Sequence, residues 1–352
     1  MNETGMDSKR VPSLFAILGV TLATLAILDL FNGSVSIPFG DAIRALFGLD
    51  GANPSHVKIL QLFRLPKIAS ATLAGAALAS SGFVLQTVFR NPLAGPDVLG
   101  IGSGASIGVA AVVLWSGDKV GAALVSGLGM FGWGGLAVAA ALGAAMVLAI
   151  ISLLARKFDN AVTLLILGLL VGYLTGALVS TMIWFAAPQK IHAYLNWTYG
   201  SFGSVTLDQL PAFAAAVAAG FLLLPLSYKP LDSFAMGERY AASVGIDVRA
   251  ARALAIAAAS ILTGATTAFC GPIGFLGIAA PQAAKRIFRT QASAIALPAS
   301  ALMGSIFALL ADIVTQLPGR GAQLPLNPVL ALVGGPIIIA IVVRHARERK
   351  DS

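Results

Sequence analysis

Apolar runs recur from one end of this 352-residue chain to the other, each about 20 residues long, the length a helix needs to cross the hydrocarbon of a bilayer. Ten such runs are predicted as spans, at roughly 13–31, 68–89, 98–115, 134–154, 162–184, 211–227, 250–269, 273–288, 295–315 and 326–343. Composition agrees: 57% of residues are hydrophobic and 11% charged, where a soluble domain carries about 25% charged residues. The expected fold is therefore all-α and polytopic, one membrane domain over 1–352 with no room for a catalytic domain between spans. Leu14–Leu30 has no small-residue cleavage site behind it and is read as a first spanning helix, not a removed leader.

Charge sets the orientation. With the N-terminus in the cytosol, sixteen of the 23 lysines and arginines fall on the cytosolic side. The positive-inside rule thus favours two cytosolic termini, as an even number of spans requires. The net charge of +8 punctuates apolar runs and does not point to nucleic acid. The single cysteine, Cys270, excludes an intrachain disulfide and a cysteine-cluster metal site.

Several features stand out against this background. Glycine recurs at every fourth position in two spans, at Gly100, Gly104 and Gly108 and at Gly168, Gly172 and Gly176. Each set lies along one helix face, as packing surface or as the lining of a path or dimer seam. Gly271-Pro272 opens the eighth span and Pro281 interrupts it. A helix so broken must hide its freed backbone groups against protein or water, either in a translocation path or in a bent structural helix. Asp312 lies near the end of the ninth span, where a carboxylate needs a partner or water. Tyr194, Trp197 and Tyr199 are read as headgroup-depth anchors. Leu231–Gly245, LDSFAMGERYAASVG, is a short polar stretch between two long apolar runs, either a coupling segment for a separate motor protein or an ordinary solvated loop.

Catalytic signatures are missing from the sequence. His56, His192 and His345 share no spacing, and no GxxxxGK[ST] phosphate loop occurs. GIGSGAS lacks the strand and the full spacing of a dinucleotide fingerprint.

Three blocks resemble the permease subunits of bacterial iron-siderophore, haem and vitamin B12 importers, the type II ABC import fold. The first is Arg64–Gly108, carried by Gln86, Asn91, Pro92, Leu93, Ala94, Pro96, Leu99 and Gly100. The second is LDSFAMGERYAASVG. The third is GPIGFLGIAAPQAAKRI, with Gly271, Pro272, Gly274, Phe275 and Pro281, followed by Asp312 and by Gln323-Leu324-Pro325. The resemblance implies ten spans in the bacterial cytoplasmic membrane and a pair of identical or similar permease subunits. It also implies two cytosolic ATPase subunits that use ATP, and a periplasmic or extracellular substrate-binding protein. The chain itself would bind no cofactor or metal and would not be an enzyme. Its expected cargo is a metal chelate, ferric siderophore by default, with haem and cobalamin as alternatives within the family. An ion-coupled secondary transporter and a membrane scaffold are the rival classes.

Site residues follow from the same resemblance. The cytosolic segment 229–249 would meet the ATPase through Leu231, Asp232, Phe234, Met236, Gly237, Glu238, Arg239, Ala241 and Gly245. Glu238 and Arg239 would make the polar contacts there, and Phe234 and Met236 the apolar ones. Arg64, Lys67 and Arg320 would dock the binding protein. Gly168, Gly172, Thr175, Gly176, Ser180 and Thr181 would line the path. The chain departs from the family pattern at Gln282, where a histidine is common, at Gln316 for an arginine, and at Gln323 for a glutamate.

Overall fold

The computed structural model describes residues 10–33, 35, 37–47, 49, 51, 53–96, 100–115, 130–157, 161–317 and 323–336. Every regular element among them is helical. In chain order these are α1 (Arg10–Phe31), α2 (Phe39–Phe47), α3 (Pro54–Ile59), α4 (Leu65–Val88), α5 (Ile101–Val113), α6 (Met130–Lys157) and α7 (Ala161–Trp184). There follow α8 (Pro188–Thr198), α9 (Leu210–Met236), α10 (Glu238–Ser243), α11 (Val248–Cys270), α12 (Leu276–Phe288), α13 (Ser293–Thr315) and α14 (Leu326–Pro336). Asn53 caps α3 by accepting from the Ser55 amide, and a π turn over Leu60–Arg64 carries α3 straight into α4.

A helix falls on each of the ten apolar runs. Six of them, among the described residues, are long and apolar enough to cross a membrane: α1, the α3–α4 stretch, α7, α9, α11 and α13. Of the helices over the other runs, α5, α12 and α14 are shorter, and α6 contributes the apolar stretch Gly135–Ile151. The eighth run is broken as its sequence predicts. Gly271 has φ 77° and Phe275 φ 66°, a left-handed value that is uncommon for a side chain with a Cβ. The chain therefore runs irregularly from Gly271 to Phe275 before the short α12 begins. Its freed amide at Gly274 donates to Asn327 Oδ1 (3.1 Å), so protein hides the break.

The centre of the bundle is α4 with α11, α12 and α13 around it. Small residues let these backbones nearly touch. A Cβ on Gly82 would lie 1.7 Å from the Gly277 carbonyl oxygen, and one on Gly75 would lie 2.3 Å from that of Gly304. Between α5 and α6, a Cβ on Gly108 would meet the Ala139 carbonyl at 2.0 Å. Gly104 and Gly108 of the first glycine ladder thus form a packing surface, whereas Gly100 lies outside their helix face as the left-handed residue before α5. Ser81 Oγ adds polar ties from α4 to the Ala259 carbonyl (2.9 Å) and to Thr263 (2.8 Å) of α11. By contrast α1, α7 and α9 leave most of their surface uncovered.

Two expectations change. Tyr194 and Trp197 are not exposed anchors: they are 5% and 6% exposed and belong to the core, while Tyr199 stays at the surface. Burial pushes the Tyr194 phenol above its ordinary range, and a hydrogen bond with Ser106 partly offsets this. The sixth span does not stop near 227 either. α9 continues through Pro225 and Pro230 to Met236. Burial of Leu224, Leu231 and Phe234 outweighs the missing proline donors.

Candidate functional site: the α10 face, the opposite ion cluster and the α7 strip

At one end of the bundle, α9 ends at Gly237, whose φ of 127° and ψ of 151° break the helix sharply. The six residues of α10 follow, and Asp247 then caps α11 by accepting from the Arg249 (3.0 Å) and Ala250 (3.1 Å) amides. The coupling segment is thus two turns of α9, a break and a separate short helix. Its residues divide cleanly. Leu231, Phe234 and Ala241 are buried, at 0%, 2% and 0% exposure. Asp232 accepts from the Ser293 amide at 2.7 Å and ties α9 to the start of α13. Met236, Arg239, Tyr240, Val244 and Gly245 are exposed.

The expected roles shift accordingly. Phe234 is core and presents nothing outward. The Glu238 carboxylate turns to Arg252 of α11, 2.6 Å away, whose side chain is 1% exposed. The outward apolar contacts are Met236, Tyr240 and Val244. No single helix face links them, because the break at Gly237 falls between Met236 and Tyr240.

Beside this end lies a polar knot. Gln86 Nε2 donates to the carbonyls of Gly277 and Ile278, each at 3.3 Å. Gln86 Oε1 accepts from Gln282 Nε2 (2.7 Å) and Lys285 Nζ (3.3 Å). The Lys285 ammonium also sits 4.6 Å from the centroid of the Phe83 ring. Asn91 closes a turn by accepting from the Leu93 amide (2.9 Å), and Pro92 offers its carbonyl to Gln282 at 3.4 Å. Pro96 packs against Gly277, where a Cβ would lie 2.4 Å from the proline ring. The first and third sequence blocks therefore meet, and Gln282 fills the place of the common histidine by pairing with Gln86. Pro281 is buried in α12. Leu99 lies outside the described residues.

The opposite end holds a buried ion cluster. Lys67 Nζ sits 2.5 Å from Asp312 Oδ2 and 3.4 Å from Asp29 Oδ1. Gln316 Nε2 donates to one oxygen of each carboxylate, both at 2.8 Å. Asp29 is 0% and Asp312 6% exposed. Arg64 is 5% exposed, and its guanidinium donates to the Leu30 carbonyl at 2.5 Å and to that of Val35. Neither cation stands out as a free positive point: Lys67 holds α1 and α13 to α4, and Arg64 holds the end of α1 and the segment after it. Gln316 replaces the expected arginine by bridging two carboxylates. Asp29 was missed, although a carboxylate inside an apolar run was its signal. Arg320 lies outside the described residues, and Gln323 is exposed.

Asn327 was missed as well. Its side-chain amide donates to the Thr198 (2.9 Å) and Pro272 (2.7 Å) carbonyls while its oxygen accepts from Gly274. It ties the end of α8, the broken segment and α14 together, and the Asn-Pro pair at 327–328 was the only hint of it.

On α7 the second glycine ladder splits. A Cβ on Gly100, which is left-handed at φ 71°, would meet the Gly168 carbonyl at 2.9 Å, and one on Gly172 would meet Ser103 Oγ at 3.5 Å. These positions pack α7 on α5. Thr175 is buried and bonds back to the Val171 carbonyl. A Cβ on Gly176 would have nothing within 4 Å among the described residues, and Ser180 and Thr181 are exposed beside Tyr173, Leu174 and Leu178. The outward strip of α7 is therefore free to face a partner or a path.

Apolar spans and a broken helix hidden in protein define a polytopic helical membrane protein. The chain belongs to the FecCD transport family, whose model matches residues 21–344. It is 33% identical over 285 residues to the vitamin B12 import system permease protein BtuC of Salmonella paratyphi A, covering 81% of this chain and 83% of the relative. The protein of the same name from Salmonella typhimurium matches to the same extent. Its fold superposes with a TM-score of 0.79 and 26% identity on a chain solved in an inward-facing conformation and assigned to the metal-chelate type of ABC transporter. That match covers 95% of this chain and 99% of the other.

Proposed function

We propose that this chain is the membrane-spanning subunit of an ATP-driven importer of a bulky metal chelate. The observation that carries the reading is α10: a short helix set off by Gly237, tied inward by Glu238 and Ala241, with Arg239 and Tyr240 exposed on it and Met236 and Val244 exposed on either side. A mobile partner needs such a handle. In this reading that end is cytosolic and meets an ATPase subunit, and both termini lie on the same side. The uncovered strip of α7 faces a second permease subunit around a shared path. The opposite end, organised by Lys67 and Arg64, receives the binding protein, with Arg320 a candidate contact there. ATP is bound and hydrolysed by the partner subunits.

The names of the relatives bring a cobalt corrinoid forward as cargo, beside the ferric siderophore expected by default. Labelling tests the orientation. With Cys270 replaced by alanine, a cysteine at Val244 should resist an impermeant maleimide in intact cells and react in inverted vesicles. Labelling from outside would reject the assignment. Competition between cobalamin and ferric siderophores for uptake then separates the two cargoes.

A further inference from the structure

We propose that Arg252 is a positioning residue that makes α10 move as one piece with α11, so that a push on the displayed face is delivered to the centre of the bundle. This rests on the reading of α10 as the ATPase face. Three observations carry it. The Glu238 carboxylate is the first residue of α10 and lies 2.6 Å from the Arg252 guanidinium. Arg252 is 1% exposed, inside the second turn of α11, although guanidinium groups are seldom buried this fully. Beyond it, α11 is joined to α4 through Ser81, Ala259 and Thr263 and to α9 by the close approach of Gly220 and Leu262.

α10 is short and hangs on a glycine break, which by itself would absorb a displacement as a change of backbone angles at Gly237. An ion pair to a buried cation resists that, because drawing the carboxylate away gives up an attraction that water screens little there. Ala241, also buried, gives the short helix a second point of attachment. Two attachments fix its direction as well as its position. Motion of Met236, Tyr240 and Val244 is then passed to α11, and through Ser81 to α4.

The experiment uses the full chain reconstituted with its ATPase and binding protein in proteoliposomes, and reads cargo moved per ATP hydrolysed. This ratio is insensitive to the amount of folded protein, so a purely structural role would leave it unchanged. Arg252→Met should lower the ratio at least fivefold with the ATPase still bound in equal amount. Arg252→Lys should recover part of it. Glu238→Gln should lower it too, and the double variant Arg252→Met, Glu238→Gln should be no worse than Arg252→Met alone. Should Arg252→Met fail to fold, Arg252→Lys and Glu238→Gln carry the test, each with an expected loss of about threefold. A ratio within 1.5-fold of the unaltered chain in the folded variants would overturn the proposal, as would losses that multiply in the double variant. Failure of the unaltered chain to bind the ATPase, or flux without ATP, would instead overturn the functional reading beneath it.

Discussion

Replacing Lys67 by methionine is the perturbation whose outcome the buried ion cluster dictates most sharply. One ammonium lies between two carboxylates, at 2.5 Å from Asp312 and 3.4 Å from Asp29, and the lysine side chain is 16% exposed. Unit charges about 4 Å apart near a protein surface interact by about 4 kcal/mol. Part of that returns when the ammonium no longer has to be dehydrated. The net loss on breaking a buried pair is about 3–5 kcal/mol, because the stranded charges cannot reach water. Methionine fills much the same volume, so packing contributes little. Asp29→Asn alone should cost less than about 1 kcal/mol, since Lys67 keeps Asp312 and the second Asp29 oxygen, Oδ2, has no hydrogen-bond partner among the described residues. The double variant should regain about 2 kcal/mol relative to Lys67→Met. The assay is the midpoint of SDS unfolding in mixed micelles for the four proteins of the cycle. A loss below about 1 kcal/mol in Lys67→Met, or a double variant weaker than the single, would refute the reasoning.

Other substitutions test other parts of the structure. Gly82→Ala should cost about 3 kcal/mol or more, the upper end for overpacking, because its Cβ would meet backbone at 1.7 Å, whereas Gly176→Ala, with open space around it, should be neutral or slightly stabilising in the same unfolding assay. Asn327→Ala should cost about 2–4 kcal/mol, from three side-chain hydrogen bonds at about 1 kcal/mol each. Val244→Asp should weaken co-purification of the ATPase at least tenfold with an unchanged unfolding midpoint, since Val244 is 52% exposed.

Much of the architecture was legible in the residues. Each apolar run carries a helix, of which six among the described residues are long and apolar enough to cross a membrane, and Gly271-Pro272 marked the broken helix, because hydrophobic length and proline chemistry act locally. Gly104 and Gly108 were legible as a helix face, and only the approach of α6 decided what they pack against, while Gly100 turned out to be a left-handed residue meeting α7. Side-chain direction was harder. Phe234 and Glu238 lie in a polar-looking stretch, yet one points into the core and the other at Arg252. The continuation of α9 past Pro230 carries Phe234 into the core, and the break at Gly237 places Glu238 on a separate helix beside Arg252. Arg64 and Lys67 look like exposed charges beside a span, yet their partners come from α1, the segment after it and α13, far away in sequence. Gln316 reads as a lost charge until Asp29 is placed opposite it.

The central claim is that work done by a nucleotide-driven partner on the α10 face moves cargo through this chain. Uptake of a cobalamin or ferric siderophore into proteoliposomes holding the permease, its ATPase and its binding protein measures this directly. The account predicts flux that needs ATP and falls to background when the ATPase is left out. Equal flux from the permease alone, driven by a proton or sodium gradient, would contradict it.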